Sequence, residues 1–225
     1  EGGFAPAGLT TRRALEYVSK AIEAAGYRPG EQVAIALDPA ATEFYAADAC
    51  EYRLKREGRN LTSDRLIDEY QTLARDFPIV SIEDGLAEDD WEGWTKLTAS
   101  AGGTIQLVGD DLFVTQERFV REGMARKAAN AVLIKLNQVG TVTETIATIR
   151  LARSAGWGTV ISHRSGETED TTIADLAVGT GGGQIKTGAP ARSERTAKYN
   201  RLMRIEEELG PLARYANRSG HRGGR

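Results

Sequence analysis

Six times along this chain a short apolar run stops at, or one residue before, a charged or titratable side chain, and helix-patterned sequence fills the gaps between runs. The runs are residues 33–37, 79–82, 105–108, 131–134, 159–162 and 184–185. They give way to Asp38, Glu83, Asp110, Lys135, His163 and Lys186. The first helix is expected over about residues 12–25, capped by Thr11 and ended by Gly26. Leu15, Val18, Ile22 and Ala25 share one of its faces. Further helices are expected from Ser63, which caps, to Pro78, which breaks. Others are expected at about 91–100, 116–125, 142–155 with Thr141 as cap, 172–178 and 194–209. Residues 51–61 are polar and alternating and read as a small hairpin. Strands alternating with helices imply right-handed crossovers and a parallel sheet.

One charged residue after a strand means little, because loops are polar. Six in register are a different matter. In a closed parallel barrel every strand's C-terminal end faces the same mouth. An open doubly wound sheet is the alternative, but no Gly-x-Gly-x-x-Gly fingerprint follows any strand. The expected fold class is therefore α/β, a TIM-type (β/α) barrel. It is incomplete, with about six of eight strands. Residues 1–212 form this partial barrel domain, and the Gly/Arg-rich tail 213–225 reads as disordered.

Composition narrows the function classes. With 29 basic against 32 acidic residues the net charge is −3, which argues against a nucleic-acid partner. No run approaches the roughly 18 apolar residues of a membrane span. A lone Cys50 cannot form an internal disulfide, and no Cys/His cluster offers a zinc site. The three tryptophans, Trp91, Trp94 and Trp157, lie on or beside helices and read as packing residues. The chain opens on Glu1-Gly2-Gly3 with neither an initiator Met nor a signal peptide, which reads as a piece of a longer protein.

Asp38, Glu83 and Asp110 end three successive strands. Carboxylates without histidine or cysteine suit a hard cation, with Mg²⁺ the default. Singly, each acid reads more readily as a loop residue or a helix cap. Lys135 ends a wholly apolar strand, where it can snorkel, act as a general base, or form a Schiff base as in barrel aldolases. Arg164 and Ser165, in the run Ser162-His163-Arg164-Ser165-Gly166-Glu167-Thr168, offer donors suited to phosphate. Lys186 could hold a second anion. The glycines at 181–183 do not make a Walker A loop, because Ile185 and not Gly precedes Lys186. Ser162 and His163 are adjacent at a strand end, with no nucleophile elbow, so a serine hydrolase is not supported.

These residues stand within motifs that resemble the enolase family in its bacterial form. The motifs are Glu1-Gly2-Gly3-Phe4-Ala5-Pro6, Ala36-Leu37-Asp38, Ser81-Ile82-Glu83-Asp84, Gly109-Asp110-Asp111-Leu112, Leu133-Ile134-Lys135-Leu136-Asn137-Gln138, the run from Ser162 to Asp170, and Gln184-Ile185-Lys186-Thr187-Gly188. The resemblance runs from Glu1 to about Tyr215. It implies a Mg²⁺-dependent lyase of glycolysis that interconverts 2-phosphoglycerate and phosphoenolpyruvate through a metal-stabilised enediolate. Asp38, Glu83 and Asp110 would bind the first Mg²⁺, and Glu83 and Asp110 would also lie against the substrate. Lys135 would be the base at C2 and Glu1 the acid at the 3-hydroxyl. Arg164 and Ser165 would hold phosphate, Lys186 would hold carboxylate, and His163 would lie on the leaving-group side.

The resemblance further implies a cytoplasmic homo-oligomer, with surface or secreted forms as in bacterial relatives. Gly85 stands where many relatives have Pro, a change expected to loosen that turn. A smaller N-terminal domain, the first two barrel strands and a serine loop would precede Glu1. The 225 residues alone are therefore expected to be inactive and unstable, with Glu1 untethered on its upstream side. Two alternatives stand beside this reading: a binding protein active at a surface, and a Schiff-base aldolase on the same fold.

Overall fold

The computed structural model describes residues 1–216. The disordered tail expected over 213–225, and with it His221, lies mostly outside the described residues. The domain end expected at 212 coincides with the end of a 3-10 turn, Gly210–Leu212. The chain divides into two compact units. One comprises Pro6–Leu112 with Gly123–Asn130. The other comprises Glu1–Ala5, Phe113–Glu122 and the chain from Ala131 onward.

The first unit holds three parallel strands: β1 (Ile35–Leu37), β5 (Ile79–Glu83) and β6 (Gln106–Gly109). In β1 against β5, Leu37 lies opposite Ile82. In β5 against β6, Glu83 lies opposite Val108. An antiparallel sheet of β2 (Tyr45–Ala46), β3 (Glu51–Leu54) and β4 (Arg59–Leu61) is inserted after β1. Helix α1 (Thr11–Ala24) precedes β1. Helices α2 (Ser63–Asp76) and α3 (Trp91–Ala101) flank β5 in sequence. Asp90 ties the insertion to these helices. Its carboxylate caps α3 at the Gly93 N–H (2.9 Å) and accepts from the Tyr52 hydroxyl (2.8 Å) and Ser63 Oγ (2.6 Å). A Cβ at Gly93 would lie only 2.5 Å from that carboxylate, so the cap requires glycine there.

The second unit holds the parallel strands β7 (Ala131–Ile134), β8 (Gly158–Ser162) and β9 (Ile185–Lys186). Ala131 to Ile134 lie opposite Gly158 to Ile161, and Ser162 lies opposite Lys186. Between the strands come α5 (Leu136–Val139), α6 (Val142–Ser154) and α7 (Thr172–Gly179). Helix α8 (Ser193–Leu209) follows β9. Helix α4 (Glu117–Arg126) spans the boundary between the two stretches of sequence. All four residues of β7 are buried, as befits a strand covered on both faces.

The differences from expectation are local. Thr10 caps α1, not Thr11, and Thr62 caps α2, not Ser63. In each case a hydroxyl accepts the N–H three residues on. The first strand begins at Ile35, because residues 28–33 are drawn into a turn in which Gly30 donates to the Val33 carbonyl. Val18, expected in the core, is 46% exposed. It lines an apolar groove between α1 and β1, together with Ala14, Leu15 and Ile35. Among the described residues no strand pairs with the other edge of β1, so nothing covers that end of the helix face. Trp94 is fully buried and donates its indole N–H to the Ala87 carbonyl (3.1 Å), as a packing residue should.

Candidate active site

In the first unit the three candidate metal ligands emerge at the same end of three neighbouring parallel strands. Asp38 follows β1, Glu83 closes β5 and Asp110 follows β6. Glu83 and Asp110 are buried, and Asp38 is exposed. An acid not singled out from the sequence sits among them. Asp84 is buried and adopts a left-handed backbone, φ +43°, which an aspartate tolerates better than most residues. Its two carboxylate oxygens accept the N–H groups of Asp110 (2.8 Å) and Asp111 (3.0 Å). Burial pushes its carboxyl up to about 7. Asp110 and Asp111 add to this, and the two N–H donors oppose it.

Carboxylate oxygens of Asp84, Asp110 and Asp111 all lie within 4.8 Å of one another. This trio shares only Asp110 with the expected one. Asp84 spends both oxygens on backbone, so it shapes the turn that carries Asp110. Gly85 follows in the same turn. The buried Tyr70 hydroxyl donates to its carbonyl (2.8 Å), and a Cβ there would approach Ile82 to 2.9 Å. Buried carboxylates at parallel strand ends fit a hard, oxygen-seeking divalent cation.

In the second unit Lys135, half-buried, leaves β7 as the residue before α5. Its N–H donates to Thr115 Oγ1 (2.9 Å), and that hydroxyl contacts Gln138 Oε1 at 2.6 Å. Thr115 is fully buried at φ +57°, an outlier for a β-branched residue. The Thr148 hydroxyl holds its carbonyl (2.8 Å). The strain thus sits directly behind the candidate base. No sequence signal marks Thr115.

Beyond β8, the Arg164 guanidinium donates to Asn137 Oδ1 (2.7 Å). Glu167 Oε2 accepts the Arg164 N–H (3.0 Å). Burial opposes the charge on Glu167, but the N–H groups of Thr168 and Arg164 and the Lys198 ammonium hold its carboxyl below the ordinary value. Ser162 Oγ bonds to the His163 carbonyl (3.0 Å), which leaves no Ser–His nucleophile pair. The His163 N–H donates to the Lys186 carbonyl (3.0 Å), joining the ends of β8 and β9.

His163 is buried, and Glu1 Oε1 lies 3.6 Å from its Nε2. Burial pushes the imidazole down to about 4. Arg195 and Lys186 push the same way, and Glu1 and Glu167 push back. The imidazole is neutral at pH 7. Glu1 itself is anchored: its carbonyl accepts the Ala189 N–H (3.1 Å). Glu1, Lys135, His163, Arg164, Ser165 and Lys186 therefore belong to one unit. Asp38, Glu83 and Asp110 belong to the other.

Comparison with known proteins decides the family. The family profile described as "Enolase, C-terminal TIM barrel domain" matches residues 1–223. The chain belongs to the enolase family. It is 56% identical over 218 residues to "Enolase 1" of Methanospirillum hungatei, covering 97% of this chain and 51% of that protein. It is 59% identical over 215 residues to the enolase of Natranaerobius thermophilus, covering 96% and 50%. The enolase of Acidothermus cellulolyticus is 59% identical over 216 residues, covering 96% and 49%. The chain thus spans about half the length of the curated relatives it matches. The parallel strands and their intervening helices are those of an enolase C-terminal barrel, short of the eight strands that close one. Among the described residues no helix is long and apolar enough to cross a membrane.

Proposed function

We propose that this chain, within the full barrel of its family, catalyses the reversible dehydration of 2-phosphoglycerate to phosphoenolpyruvate. The observation that carries the reading is the placement of Glu1 beside neutral His163, in the same unit as Lys135 and Lys186 at parallel strand ends. Lys135 takes the C2 proton. The electron pair left behind closes the C2–C3 double bond as the C3–O bond breaks, and Glu1 supplies the proton with which the hydroxyl leaves as water. Arg164, fixed by Asn137, presents a planar fork to the phosphate, with Ser165 beside it. Lys186 faces the substrate carboxylate. Asp38, Glu83 and Asp110 would hold Mg²⁺. When bound, that ion supplies positive charge against which the C2 proton becomes more acidic. The reading also carries cytoplasmic action and a homo-oligomer, both supported by family membership.

The test is made in the protein that carries the complete barrel. Lys135→Ala is expected to abolish exchange of the C2 proton with solvent. Glu1→Gln is expected to slow phosphoenolpyruvate formation by two or more orders of magnitude while sparing that exchange, a loss about the size of a general-acid contribution. Deuterium incorporation followed by NMR separates the two. Equal loss of exchange in both variants would refute the separate roles, and unimpaired turnover in both would refute the reaction.

A further inference from the structure

Helix α8 presents two buried cations, Arg195 and Lys198, three residues apart and so on one face. Arg195 is 1% exposed and Lys198 is 0% exposed. Charges so deeply buried require partners, and both find them in the loop after β8. Lys198 donates to the carbonyls of Thr168 and Glu194 (2.6 Å to the latter) and lies 3.5 Å from Glu167 Oε1. The Arg195 guanidinium donates to the Arg164 carbonyl (2.8 Å) and the Ser165 carbonyl (2.9 Å). Its third contact, at 2.6 Å, is His163 Nδ1.

That third contact has only one chemical form. A guanidinium carries donors and no acceptor, and it keeps its charge throughout the pH range of proteins. His163 Nδ1 must therefore offer a lone pair. In a neutral imidazole whose Nδ1 accepts, the proton sits on Nε2. Nε2 is the ring nitrogen that lies 3.6 Å from Glu1 Oε1, just beyond hydrogen-bond length, and it has no hydrogen-bond partner among the described residues. We infer that Arg195 is a positioning residue, which fixes His163 as the Nε2–H tautomer and thereby aims a neutral donor at the Glu1 carboxylate.

The charged groups around the ring agree. Arg195 and Lys186 disfavour an imidazolium, Glu1 and Glu167 favour it, and burial settles the balance toward neutrality. What this does for Glu1 rests on the proposed reaction. The acid that releases a hydroxyl delivers a proton in that step. A neutral N–H orients its carboxyl group without placing a full positive charge beside it. Gly188 makes the arrangement possible. At φ +78°, a Cβ there would come within 2.8 Å of the Glu1 carbonyl oxygen and 2.9 Å of Arg195 Cδ. Only glycine lets both approach.

The test is 15N NMR of the full 225-residue chain with labelled histidine, in a His221→Gln background that leaves His163 as the only imidazole. The expected spectrum at neutral pH shows a protonated Nε2 and an unprotonated Nδ1. Arg195→Lys, which keeps a donor, is expected to retain it. Arg195→Met, which does not, is expected to move population to the Nδ1–H tautomer and raise the pH at which the ring protonates. A wild-type Nδ1–H signal would overturn the inference, and so would an Arg195→Met tautomer ratio equal to wild type. If Arg195→Met does not fold, the wild-type and Arg195→Lys spectra decide. An Nε2–H ring in both supports the inference, and Nδ1–H in either overturns it. No readout uses turnover, so failure of the proposed dehydration and failure of the tautomer assignment are separate results.

Discussion

At the residue scale, the side chains with the sharpest physical signatures are those the sequence does not advertise. Asp38, Glu83, Asp110, Lys135 and His163 stand out because each follows an apolar run. Asp84, Thr115 and Arg195 do not, because their work is done through backbone groups distant in sequence: Asp84 at residues 110 and 111, Thr115 at residue 135, Arg195 at residues 164 and 165. Nothing in local patterning encodes such contacts. His163 carries a testable pH dependence. Its folded pKa of about 4 lies below the ordinary value near 6.5. Below pH 6.5 the unfolded chain takes up a proton that the folded chain refuses, so stability falls as pH drops through the window from about 6.5 to about 4. Between about pH 7 and pH 5 this loss is about 2 kcal/mol. Asp84, with its carboxyl pushed up to about 7, shifts stability the opposite way over the same range, so the readout is a difference: between the two pH values urea unfolding should show the wild type losing about 2 kcal/mol relative to His163→Gln. Parallel losses would remove the assignment of a buried neutral ring.

At the element scale, the longer helices and strands were legible, because apolar residues recur at helical spacing in α1 and α2 and run unbroken in β7. The ends were less legible. Adjacent hydroxyl residues, Thr10-Thr11 and Thr62-Ser63, offer equivalent caps, and only the backbone turn decides which one is used. The four-residue α5 and two-residue β2 are too short to leave a periodic signal. Helix α8 is mostly polar, yet it buries Arg195 and Lys198 because the loop it supports supplies carbonyls. Lys198→Met removes the cation and leaves the Thr168 carbonyl and Glu167 with one donor fewer. The expected cost is about 3 kcal/mol, read as a lower urea midpoint with unchanged slope. A change within about 0.5 kcal/mol would mean that Lys198 merely fills space.

For the whole molecule, the class of fold was legible because six strand-and-helix repeats cannot be read many ways. Val18 was misplaced for a reason of the same scale. A helix face is buried only when something lies against it, and the groove between α1 and β1 stays open. An uncovered parallel strand edge flanked by apolar side chains is a template for pairing. The 225 residues on their own are expected to self-associate, with a weight-average mass in sedimentation that rises with concentration. Val18→Glu is expected to reduce that rise. A strictly monomeric wild-type chain across the accessible concentration range would show that the edge is protected.

The support beneath the loop after β8 touches the side chains of His163 and Glu167, but at residues 164, 165 and 168 it grips carbonyl oxygens. At those three positions the scaffold is indifferent to spelling. Every L-amino acid presents the same oxygen, so the loop's contour can be inherited unchanged while its outward-facing vocabulary is rewritten. Replacing the side chains of Arg164 or Ser165 edits what the loop says to a ligand. Replacing Arg195 alters the page on which it is written.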